Sequence, residues 1–217
     1  MNPPRIAVVG GRLQGIEATY LCSKAEFETV LIDDDPNPPA RSLSDEFHQI
    51  DVIAQREKAK HVLRGCDAVL PANENRRTLL VLEKCCGDLH IPFMQDNRAF
   101  WITSDKTKST KFLGETGIPV PTAWPESGFP VIVKPSKRSG SVGIHRADSK
   151  SELEQGLKLV RRLDDAPVVQ EYIGGPALSL EIMSKDGLGQ PRQITGLEFD
   201  ETYGCKRVYA QSRRHLM

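Results

Sequence analysis

Apolar and polar positions along this chain follow two rhythms, and the rhythm changes near the middle. Residues 5 to 10, RIAVVG, form a continuous apolar run ending on paired glycines, which predicts a short buried strand. LQGIEATYLCSKA comes next, with Leu13, Ile16 and Tyr20 on one helical stripe, and then TVLIDDDP, a second buried-type strand stopped by acids and a proline. Strand, glycine turn, helix, strand is a βαβ unit, which requires a parallel sheet and a right-handed crossover. CDAVLPANEN (66 to 75) predicts a further strand with polar residues collected past its C-terminal end, and RRTLLVLEKCCGDL a helix. In open α/β sheets that edge is where ligands bind.

Beyond residue 98 the pattern becomes α+β. RAFWITSDKTKSTKFLGETGIP predicts one helix, capped by Thr103 or Ser104 and ended by Gly117 and Pro119. After residue 130, strand-like runs dominate: PVIVKP, SVGIHRA, PVVQEYI, LSLEIMS and RQITGLEF. One helix interrupts them, SELEQGLKLVRRL, with Leu153, Leu157 and Val160 at helical spacing and a Ser151/Glu154 capping box. KDG at 185 to 187 predicts a hairpin turn. The expected architecture is a Rossmann-like α/β domain over residues 1–98 followed by an α+β region over 99–217.

Composition narrows little. With 39% apolar and 27% charged residues the chain reads as an ordinary soluble globular protein. Lys plus Arg equals Asp plus Glu at 29 each, so no nucleic-acid or membrane partner is indicated, and any anion site must come from local clustering. The five cysteines are odd in number and lack C-x-x-C spacing, which fits a reduced, cytoplasmic compartment without disulfides or zinc. The five histidines are scattered, so no metal ligands are assigned.

Two places concentrate chemistry. In GGRLQG the dinucleotide fingerprint fails, because Arg12 stands where the glycine that admits a pyrophosphate belongs. An NAD-dependent oxidoreductase is therefore disfavoured. Arg12 and Glu74 each follow a predicted strand end, and together they complement the carboxylate and ammonium of an amino acid. Two exposed loop charges is the plain alternative. Asp33 suits either a ribose hydroxyl or a solvated turn.

The second place is VIVKPSKRSGSVGIHR, residues 131 to 146. Lys134 follows Val131, Ile132 and Val133, so its stem is expected to be partly buried and its ammonium to need an anion. Ser136, Ser139, Gly140, Ser141 and Gly143 offer N–H groups and hydroxyls with little bulk, as a hairpin that closes on phosphates requires. Lys106, Lys108 and Lys111 lie early in the preceding helix, where cations oppose the macrodipole at roughly 0.3–1 kcal/mol each. A bound polyanion offsets that cost. In VVQEYIGGPALSLEI, the strand end at Glu171, Tyr172 and Ile173 has the apolar surface and backbone groups that an adenine edge needs, and Glu181 lies nearby in sequence.

SDKTKSTKFLGETGIPVP, VIVKPSKRSGSVGI and VVQEYIGGP…LEI, in this order across residues 103 to 183, resemble the ATP-grasp superfamily of carboxylate–amine ligases. GGRLQG, LIDDDP, LPANEN and TYGCKRV (202 to 208) resemble most its pyrrolysine-biosynthesis branch, whose ligases join 3-methyl-D-ornithine to L-lysine. The resemblance implies a pre-ATP-grasp domain followed by an incomplete ATP-grasp region, with ATP and Mg²⁺ as cofactors. Lys106 and Lys134 would contact the phosphates as catalytic residues, and Ser139, Gly140, Ser141, Val142 and Gly143 would form the flap. Glu171, Tyr172 and Ile173 would line adenine, with Glu181 at the ribose or phosphates. Arg12, Leu13, Gln14, Asp33 and Glu74 would hold an amino-acid substrate, L-lysine or 3-methyl-D-ornithine. A homodimer is left open. Ala177 departs from the acid that many members place there, and no E-x-N pattern follows residue 134, so the metal ligands are expected outside this chain. A ligase is one expectation; a non-catalytic module that binds ATP or an amino acid is the other.

Overall fold

The computed structural model describes residues 2–211, which divide into two compact units with the boundary between Ala99 and Phe100. In the first unit, strands β1 (Arg5–Val9), β2 (Glu28–Asp33), β3 (Glu46–Gln49) and β4 (Ala68–Pro71) form one sheet in the order β3-β2-β1-β4. All of its pairings are parallel, as the βαβ reading requires. Strand β3, made by the half-polar stretch EFHQ, carries no apolar run and was not legible as a strand.

Helices α1 (Leu13–Lys24), α2 (Arg56–Leu63) and α3 (Arg76–Leu89) accompany the sheet. The buried residues of α1 are Gly15, Thr19 and Cys22, whereas Leu13 is 80% exposed and Tyr20 is half exposed. The expected Leu13/Ile16/Tyr20 stripe is thus corrected, with only Ile16 packed inward. The cause is close approach: a Cβ on Gly15 would collide with the carbonyl of Gly10, so small residues face the sheet. Leu31, Ile32, Val30 and Val8 of the strands are fully buried beneath the helices.

The boundary between the units falls inside α4 (Asn97–Thr103), and α5 (Lys106–Glu115) is a separate helix. The helix expected to be capped by Thr103 or Ser104 is α5, preceded by the unexpected α4, and its cap is Asp105, whose carboxylate accepts from the N–H groups of Thr107 and Lys108. In the second unit, β5 (Val131–Pro135), β6 (His145–Ala147) and β7 (Pro167–Glu171) form an antiparallel sheet in the order β6-β5-β7. Helix α6 (Lys150–Arg162) covers one face through Leu153 and Val160, which pack with Val131, Val133 and Ala147. Its cap is Ser149, and Glu152 reaches back to the Asp148 N–H at 2.7 Å. This capping box lies two residues before the expected one.

A second antiparallel sheet, β10-β9-β8, comprises β8 (Ala177–Lys185), β9 (Leu188–Phe199) and β10 (Cys205–Ala210). Asp186 and Gly187, with φ of 52° and 77°, make the tight turn that KDG predicts. Among the described residues no helix is long and apolar enough to cross a membrane.

Candidate functional site

At the C-terminal edge of the parallel sheet, a cavity of about 600 Å³ is lined by Gly10, Arg12, Gln14, Asp33, Asp34 and Glu74, among others. The edge is built by the strand ends. Gly10 adopts φ 109° against the Ala72 carbonyl, and this turns the chain sharply into α1. Gln14 Nε2 lies 3.4 Å from Glu74 Oε1. Arg12, Gln14, Asp33 and Glu74 thus share one hollow, whereas Leu13 does not line it. Asp33 is already engaged: Oδ2 accepts from the Gly11 N–H at 2.6 Å and Oδ1 from the Asp35 N–H at 2.8 Å. Those bonds fix the glycine turn, so the turn-acid alternative accounts for this residue. Asp34 also lines the cavity and went unnoticed within the DDD run.

In the second unit, one sheet face holds most of the remaining candidates. Val131 and Val133 point into the α6 core, so alternation turns Ile132 and Lys134 to the opposite face. Arg146 pairs with Ile132, and Gln170 pairs with Ile132 from the other side. Tyr172, two residues beyond Gln170, continues that face, and the Arg146 guanidinium stacks over its ring at 4.3 Å.

Lys106 is brought to the same region by Ser136. The Lys106 N–H donates to the Ser136 carbonyl at 2.9 Å, and Ser136 Oγ donates to Asp105 Oδ1 at 2.8 Å. The start of α5 is therefore pinned two residues after Lys134. Lys106 Nζ donates to the Arg138 carbonyl at 2.6 Å, at the base of the flap. Burial pushes the Lys134 pKa down, and the Lys106 ammonium pushes it further in the same direction. Among the described residues neither ammonium forms an ion pair with a carboxylate. Lys111, by contrast, faces Glu115 on the exposed side of α5.

The flap is a loop with left-handed residues at Gly140, Ser141 and Gly143. Space around Gly140 is open, and Val142 is half exposed. Gly143 has a packing reason of its own, since a Cβ there would lie 2.6 Å from Leu163 Cδ1. Ser136 was read as part of the phosphate-facing set. It is buried and committed to Asp105, so it anchors the flap and does not line it.

The strand end after β7 is divided. Glu171 points away from the Lys134 face, and its Oε1 accepts from the Thr122 N–H at 2.7 Å. The Tyr172 N–H donates to the Pro130 carbonyl. Ile173 is 66% exposed, and its backbone has no hydrogen bond among the described residues. It is thus the position of the three with free edge groups. Glu181 lies on the exposed β8 strand, 3.3 Å from Ser179 Oγ, beside a break in the β8–β9 register. No group of three or more His, Cys, Asp or Glu residues suited to a metal occurs among the described residues.

The fold is that of the ATP-grasp enzymes. A carboxyaminoimidazole ribonucleotide synthase from Aspergillus clavatus, solved with ATP, superposes with a TM-score of 0.75 at 17% identity, over 98% of this chain and 58% of that one. The family model for the D-ala D-ala ligase C-terminus matches residues 115–212. By sequence the chain is similar to 3-methyl-D-ornithine–L-lysine ligase from Methanosarcina acetivorans, at 35% identity over 94% of this chain and 54% of the relative. The Methanosarcina barkeri ligase of the same name is 36% identical with the same coverage. The chain spans about half the length of these curated relatives.

Proposed function

We propose that the protein is an ATP-dependent amino-acid ligase that joins 3-methyl-D-ornithine to the ε-amine of L-lysine. One observation carries the nucleotide half of this reading. Lys106 and Lys134 lie close enough for one ammonium to depress the other's pKa, at the root of a side-chain-poor loop, with no carboxylate pairing either among the described residues. Two unpaired cations held together are costly unless a polyanion joins them. A triphosphate is such a polyanion, and the base would lie toward Tyr172 and Ile173.

In the reaction, a carboxylate oxygen of 3-methyl-D-ornithine attacks the γ-phosphorus of ATP, giving an acyl phosphate and ADP. The ε-amine of lysine then attacks the acyl carbon, phosphate leaves, and the amine proton passes to solvent. Negative charge accumulates on the phosphoryl group in flight, and Lys106 and Lys134 would stabilise it there. Arg12 and Glu74 would hold the two charged ends of an amino acid in the front cavity. Mg²⁺ would supply further charge neutralisation, but the described residues do not gather a ligand set for it.

The second reading is a module that binds ATP and an amino acid without turnover. Incubation with ATP, Mg²⁺ and both amino acids separates the two. The ligase reading expects ADP release that requires both amino acids; bound ATP that is never consumed selects the module.

A further inference from the structure

The root of the flap stands on the turn that joins α6 to β7, and the sheet alone does not close the seam between them. The last residues paired between β5 and β7 are Pro135 and Pro167, and neither has an N–H to give to the ladder. Beyond them the Ser136 N–H donates to the Ala166 carbonyl at 2.9 Å. The Lys137 N–H then donates to Asp165 Oδ2 at 3.0 Å, while Asp165 Oδ1 accepts from the Ala166 N–H at 2.7 Å. A side-chain carboxylate thus continues the pairing where the strand backbone stops.

Arg138, one residue further on, ties the flap to the same turn. Its Nη2 donates to the Leu163 carbonyl at 2.7 Å. Leu163 is the C-cap of α6, where carbonyls lack helical partners and the macrodipole favours a cation. A polar hollow of about 550 Å³ opens here, lined by Lys137, Arg138, Arg161, Asp164, Asp165 and Ala166. Hydrogen bonds, not apolar packing, therefore hold this foot of the flap. The bonds continue to Lys106, whose Nζ donates to the Arg138 carbonyl at 2.6 Å. An ammonium has three donors, so this bond occupies one and sets the direction of the other two.

We propose that Arg138 and Asp165 are positioning residues for the phosphate cradle: they fasten the root of the flap to the α6–β7 turn and so hold the Arg138 carbonyl that aims the Lys106 ammonium. The inference rests on the nucleotide reading above and gives a role to a turn which that reading leaves out.

The test is calorimetric titration of ATP into the parent chain, Arg138→Ala, Arg138→Lys, Asp165→Ala, Asp165→Asn, Lys106→Ala and the Lys106→Ala/Arg138→Ala double variant, with a thermal melt of each. Arg138→Ala and Asp165→Ala are expected to weaken ATP binding about fivefold. Arg138→Lys keeps a donor for the Leu163 carbonyl and Asp165→Asn an acceptor for the Lys137 N–H, so each recovers part of the loss. Arg138 is exposed, and Arg138→Ala is expected to melt close to the parent. Should Asp165→Ala melt well below it, the Arg138 variants decide. In the Lys106→Ala background, Arg138→Ala is expected to cost nothing further, because it acts through the ammonium already removed. The full loss in that background, or parent-like affinity in Arg138→Ala, overturns this proposal alone. A parent chain that binds no nucleotide overturns the nucleotide reading and this proposal with it.

Discussion

Lys134 lies near the end of β5, on the face opposite the buried valines, and its partial burial is the source of both its cost and its use. Its pKa is depressed first by desolvation and then by Lys106. The folded chain therefore binds fewer protons at this site than the unfolded chain does near the lysine titration range. Stability rises with pH from the lowered folded value up to the ordinary one, and the penalty is fully present below the lowered value. Lys134→Met should remove it, raising the melting temperature by a few degrees at pH 7 while weakening nucleotide binding; a thermal melt paired with a binding titration reads both. In the parent, ATP affinity should decline as pH rises through the lowered pKa. Arg12 makes a separate prediction, since it lines the front cavity and not the flap. Arg12→Ala should impair amino-acid binding at least tenfold and leave ATP affinity within about twofold, given that a charge-assisted hydrogen bond is worth roughly 1.5–3 kcal/mol. Equal losses in both titrations would reject the assignment.

Among the elements, α5 is the one that joins sequence pattern to site. Its N-terminus is capped by Asp105, and the same carboxylate accepts from the buried Ser136 hydroxyl. Asp105→Ala removes the cap and leaves Ser136 Oγ only the longer contact to Thr107 Oγ1, so denaturant melts should show a loss of about 1–2 kcal/mol. Asp105→Asn keeps an acceptor and should lose less. The Ser136 hydrogen bond also lowers the Asp105 pKa. The matching stability is present above the unfolded aspartate value and is lost as pH falls through the lowered folded one, a dependence that Asp105→Asn abolishes. What was legible here followed from strong local signals. The apolar runs gave β1, β2, β4 and β5, and the alternation in VIVKP placed the Lys134 stem. What was illegible depended on partners distant in sequence. Asp105, not Thr103 or Ser104, is the cap, and its carboxylate also accepts from Ser136, 31 residues away. Glu171 was drawn off to Thr122, and Arg146 meets Tyr172 only because β6 and β7 both pair with β5.

For the molecule as a whole, equal numbers of acidic and basic residues conceal an uneven distribution. The front unit gathers Arg12, Asp34 and Glu74 around one cavity, suited to a zwitterion. The second unit sets two lysines beside an open loop with no acid paired to them among the described residues. The two units thus gather charge differently, mixed signs around the front cavity and unpaired cations beside the loop. The central claim is that the two ammoniums act on one polyanion. A double-mutant cycle tests it most directly, with ATP affinity measured by calorimetry for the parent, Lys106→Ala, Lys134→Ala and the double variant. Each single change should weaken binding about tenfold or more, and the double variant should lose clearly less than the two losses combined, because the groups share a ligand and a neighbour. Parent-like affinity in Lys134→Ala, or strictly additive small effects, would contradict it.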